Sequence, residues 1–82
     1  MIPQKKMEKI YEILSSLRPE FDFHTSSNFI EDGMLDSFDV ISVVTELEDK
    51  FDVLIDALDI LPENFASAEA IAEIVRKNGG TV

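Results

Sequence analysis

Two places in this 82-residue chain hold side chains that could do chemistry: a lone histidine, and a serine at the seam of a helix. His24 is the only histidine and lies in "DFHTSSNF" with no evident nucleophile beside it. It reads as a solvated or loop-packing side chain rather than a base. No Ser-His-Asp arrangement, glycine-rich phosphate loop or His/Cys metal cluster can be inferred from the spacing. The run "DVLIDALDILPE" puts Asp52, Asp56 and Glu63 at the first, fifth and twelfth places of a calcium loop. Leu54 stands at a ligand place, however, and Ala57 where that loop needs glycine, which rules the assignment out. Cysteine is absent, so disulfides and thiolate chemistry by the chain itself are excluded. The chain is expected to catalyse nothing alone.

The serine is more telling. In "EDGMLDSFDV" turn-prone polar residues give way to an apolar periodic run, and Ser37 stands at the change. Asp36 and Ser37 are both good N-caps, so a helix is expected from one of them to about Phe51. Counted from Ser37 at about 100° per residue, Val40, Val43, Val44, Leu47 and Phe51 fall within roughly 240° to 340°, a single core stripe. Phe38, Ile41 and Thr45 fall outside it, near about 100°, 40° and 80°. They form a second, smaller patch beside Ser37, bordered by Asp39, Glu46, Glu48 and Asp49. A small apolar patch with an acidic rim has the layout of a partner-docking face. The plainer alternative is that Phe38 and Ile41 pack under the preceding loop.

The elements that must position this seam follow from pattern. Pro3 suits a first helical turn, and Met7, Ile10, Leu14 and Leu17 then recur at helical spacing. Arg18-Pro19 ends that helix, because proline disfavours a helical residue before it. Residues 19–36 read as a long loop, yet they carry Phe21, Phe23, Phe29, Ile30, Met34 and Leu35. Six large apolar side chains predict a loop packed on the core, and a connection this long is usually functional or disordered. After the helix that opens at Asp36 or Ser37, "DVLIDALDILPENF" is broken by Pro62 and is expected to hold one short helical turn. Ser67 caps a last helix with Glu69 and Glu73 early, Ile71, Ile74 and Val75 apolar, and Arg76 and Lys77 late, an order that suits the helix dipole. Asn78-Gly79-Gly80 ends it. No convincing alternating strand appears, although "FDVLI" is ambiguous. The expectation is an all-α four-helix bundle of three main helices and one short one, a single domain over residues 1–82.

The bulk numbers agree. A chain this short buries only about 60% of its unfolded surface, so it builds one core. With 45% hydrophobic and 29% charged residues it has the composition of a soluble globular domain. No run of about 18 apolar residues would span a bilayer, and no signal-like start is present. The net charge is −10. Up to Arg18 four basic residues face two acidic ones; beyond it three face fifteen, a local −12. Such a surface repels nucleic acid and anionic lipid and attracts proteins with basic patches. A reducing, cytoplasmic location is the simplest expectation for a chain without cysteine.

"GMLDSFDVISVVTELEDKF" resembles the modification site of the acyl and peptidyl carrier proteins: an Asp-Ser pair, a bulky apolar residue, and an acidic amphipathic helix closing on Phe. "NFIEDGMLDS" is similar to the approach loop of the D-alanyl carrier proteins, and "ENFASAEAIAEIV" to their last helix. The resemblance covers about Asn28 to Val75, and the stretch between Val53 and Leu61 departs from it. It implies that Ser37 receives 4′-phosphopantetheine from coenzyme A and that Asp36 assists the phosphopantetheinyl transferase and its Mg²⁺. The thiol of that arm would carry acyl or aminoacyl groups as thioesters. Implied partners are that transferase, an acyl- or aminoacyl-loading ligase or adenylation enzyme, and downstream acyl-transfer enzymes, all visited by a monomeric carrier. Phe38 replaces the leucine commonest after the serine, as in some D-alanyl carriers, which leaves the cargo open. The rival reading is an unmodified acidic adaptor or decoy that covers a basic protein surface.

Overall fold

A computed structural model describes residues 4–80, with side chains from residue 7 onward. The expected place of Pro3 in a first helical turn lies outside these residues. Within them the chain is all-helical, without a strand: α1 spans Gln4–Leu17, α2 spans Ser37–Phe51 and α3 spans Ala68–Lys77. α1 packs against both α2 and α3, burying Ile10, Ile13 and Leu14. The α2 stripe follows the expected periodicity, with Val40, Val43, Val44 and Leu47 buried and Phe51 packed at the edge of the core.

The helix ends explain their own positions. α2 stops at Asp52, whose left-handed backbone (φ 54°) sends its N–H back to the Glu48 carbonyl. Aspartate tolerates that conformation better than most residues. Ser67 caps α3, its side chain accepting the Ala70 N–H at 3.1 Å. At the far end Gly79, at φ 93°, and Gly80 return their N–H groups to the carbonyls of Arg76 and Val75. This reciprocal pair is the Schellman closure, which needs a residue free to adopt positive φ.

The long loop is packed, as its apolar content predicts. Phe23, Phe29, Met34 and Leu35 are buried, and Phe21 and Ile30 pack against them. Phe23 and Phe29 meet edge-to-face at 5.0 Å. The Phe29 N–H donates to the Ala66 carbonyl at 2.7 Å, and the Phe29 carbonyl accepts from Met34 and Leu35. These bonds fix the approach to α2. A short 3₁₀ turn, Phe23–Thr25, interrupts the loop.

The expected single turn between α2 and α3 is instead two 3₁₀ turns, Ala57–Asp59 and Pro62–Phe65. Ile60 and Leu61 separate them, with Leu61 extended, as suits the residue before proline. The second turn touches both α2 and α3, so it closes the side where a fourth helix was expected. Asp59 pins the segment to the end of α3: its buried carboxylate accepts from Lys77 Nζ at 2.7 Å and from Asn78 Nδ2 at 3.4 Å.

Candidate functional site

Ser37 is the first residue of α2, and Asp36, not Ser37, is the cap. The Asp36 carboxylate accepts the Asp39 N–H at 2.9 Å, while the Asp39 carboxylate accepts the Asp36 N–H at 3.1 Å. This capping box satisfies two of the N–H groups that a helix start leaves orphaned. It also releases Ser37, whose hydroxyl is exposed and makes no hydrogen bond among the described residues.

Arg18, just past the end of α1, pairs with the acids at this helix start. Its Nε donates to Asp39 Oδ2 at 3.0 Å, Nη2 lies 3.8 Å from Asp36 Oδ2, and Nη1 donates to Glu20 at 3.1 Å. The Asp36 carboxyl is held below its ordinary range, chiefly by the Asp39 N–H and further by Phe38 N–H and the Arg18 charge. Arg18 is pushed up, first by its hydrogen bond to Asp39.

Beside Ser37 lies an apolar groove of about 310 Å³. Ser37, Phe38, Val40 and Ile41 form one wall, with Ile60 and Pro62 from the segment between α2 and α3 opposite. Phe38 is 84% exposed and Ile41 56%, so neither packs under the preceding loop. Thr45 is exposed on the same helix, its hydroxyl donating to the Ile41 carbonyl.

The acids expected around the patch divide. Asp49 is exposed. Asp39 is not a free rim residue: its side chain is only 18% exposed and is engaged by Arg18. Glu48 accepts the Ile55 N–H at 3.0 Å and so anchors the turn after α2. Glu46 lines a depression between α1 and α2 with Lys9 and Lys50, away from the Ser37 groove. Angle along α2 places these residues but does not determine which neighbours bind them.

His24, half exposed in the loop, stacks its ring on Tyr11 of α1 at 3.8 Å with Glu8 and Asp22 near its two nitrogens. It forms no hydrogen bond to Ser37. Among the described residues no group of His, Asp and Glu is arranged to hold a metal ion, and no helix is long and apolar enough to cross a membrane.

Sequence reasoning missed Arg18, Ile60 and Pro62 as parts of the site. A signal for Arg18 existed, since it is the only Lys or Arg between Lys9 and Lys50 while nine acids lie between it and Lys50. Nothing comparable marked Ile60. No family model, no curated protein and no solved structure matches this chain.

Proposed function

We propose that this chain is an acyl or aminoacyl carrier whose Ser37 hydroxyl receives 4′-phosphopantetheine. The observation that carries the reading is the division of labour at the start of α2: Asp36 does the capping, which leaves the adjacent Ser37 hydroxyl exposed and without a hydrogen bond among the described residues. A serine serving only the helix would be expected to spend its hydroxyl on that cap.

The residues suit the group. The modified serine would stand at a helix start, where backbone N–H groups and the dipole favour a phosphodiester. In the attachment step Ser37 Oγ attacks the coenzyme A phosphorus nearer the pantetheine. The bond to the oxygen bridging the two phosphates breaks, adenosine 3′,5′-bisphosphate leaves, and the hydroxyl proton passes to a base of the transferase. The Asp36 carboxylate, 58% exposed and only loosely paired with Arg18, is within reach of the transferase and its Mg²⁺. The arm, when bound, supplies a thiol that holds cargo as a thioester. Phe38 and Ile41 offer visiting enzymes a small dry contact, and the acidic surface steers basic partners at a salt-dependent rate. The reading also gives the chain a cytoplasmic place and a loading ligase or adenylation enzyme as its partner.

The test is incubation with a broad-specificity phosphopantetheinyl transferase, coenzyme A and Mg²⁺, read by intact mass. Wild type should gain one phosphopantetheine and Ser37→Ala none. An unmodified wild type would remove the reading in favour of an unmodified acidic adaptor, and an adduct that survives the alanine change would remove Ser37 as the attachment site.

A further inference from the structure

Arg18 links the end of one helix to the start of another. Its backbone N–H donates to the Leu14 carbonyl at 2.9 Å, so the side chain leaves an anchored root beside the fully buried Leu14. From there it crosses 21 positions of sequence to reach Asp39. The Asp39 oxygen that accepts from Arg18 Nε also accepts the Asp36 N–H. Arg18 therefore grips one half of the capping box that sets where α2 begins, and its charge stands between the two carboxylates of that box. The ring of Phe21, 6.0 Å from the guanidinium, lies beside it.

We propose that Arg18 is a positioning residue for the modification of Ser37: by fixing Asp39, and through it Asp36, it holds the first turn of α2 so that the Ser37 hydroxyl is presented in one orientation. The proposal rests on the carrier reading above. Without the guanidinium Asp36 and Asp39 face each other as uncompensated like charges, and the reciprocal cap loosens. The Ser37 hydroxyl, which makes no hydrogen bond among the described residues, then takes its orientation from a fraying turn.

Steering separates this role from that of a surface charge. Removing a cation makes the chain more acidic, which would hasten encounter with a basic enzyme. A slower reaction cannot come from that source. The experiment compares wild type, Arg18→Gln, Arg18→Lys and Glu20→Gln in steady-state modification by a broad-specificity transferase with coenzyme A and Mg²⁺. It runs well below each melting temperature, with amide hydrogen exchange measured by NMR on the unmodified proteins. Arg18→Gln should lower kcat about tenfold, as a displaced reacting group does, without raising KM. Amides of residues 37–40 should exchange faster while those of α3 do not change. Arg18→Lys should recover part of the rate, since an ammonium keeps the charge but lacks the planar fork. Glu20→Gln should behave as wild type. Wild-type kcat in Arg18→Gln, or a loss of rate accompanied by faster exchange throughout α3, would overturn the proposal while leaving the carrier reading intact. A wild type that takes no adduct overturns both.

Discussion

One helix, α2, carries both the core stripe and the exposed patch beside Ser37, so paired truncations on its two faces test how the site is built. Leu47 is fully buried, and Leu→Ala changes at such positions cost about 2–5 kcal/mol. In a domain of this size each kcal/mol moves the melting temperature by roughly 4–8 °C. Leu47→Ala should therefore lose at least about 8 °C and can unfold the domain outright. Ile41 is 56% exposed, which leaves it somewhat under half of the ~1.5–3 kcal/mol that full burial of such a side chain is worth. Alanine recovers a few tenths of a kcal/mol in helix propensity. The net change at Ile41 is under about 1 kcal/mol, or within about 8 °C. Thermal and urea melts followed by circular dichroism measure both variants. On the modified protein Ile41→Ala should also slow loading by the cognate enzyme, since contact residues of this kind cost about 1–2 kcal/mol when truncated. A loss of more than about 10 °C in Ile41→Ala would show that Ile41 belongs to the core and that the docking face is misassigned.

Two further outcomes concern charge. The hydrogen bond from Lys77, with that from Asn78, holds the Asp59 carboxyl below its ordinary value of 3.8. A depressed carboxyl adds stability that is fully present above the unfolded value and fades as pH falls through the folded one. Asp59→Asn should thus melt lower than wild type at neutral pH, with the gap closing as pH drops below 3.8; a constant gap down to about pH 3 contradicts the pairing. With −10 on so small a domain, moderate salt or millimolar Mg²⁺ should raise the melting temperature, and a flat response would mean that the acids are already compensated.

Much of this architecture was legible because it rests on local signals. The α2 stripe, the Ser67 cap and the Asn78-Gly79-Gly80 ending each follow from spacing or from a residue's own conformational preference. The packed loop announced itself by its six large apolar residues. The sequence left open whether Asp36 or Ser37 caps α2, because both types cap well and only the reciprocal bonds with Asp39 decide. The two 3₁₀ turns were blurred into one because Pro62 marks a break without saying what stands on either side of it. Arg18, Asp59, Ile60 and the engaged states of Asp39 and Glu48 depend on partners far away in sequence or on backbone turns. No periodicity reports those. The exposed patch was found by angle, and its opposite wall only by topology.

Whether Ser37 carries a prosthetic arm can be read in the protein as cells make it. Intact mass and peptide mapping of the chain purified from its native cells, without added transferase, should show one 4′-phosphopantetheine confined to the peptide holding Ser37. A fraction should also bear a cargo released by hydroxylamine, as a thioester is. A native chain whose mass equals that of its bare sequence, with Ser37 unmodified, would contradict the account.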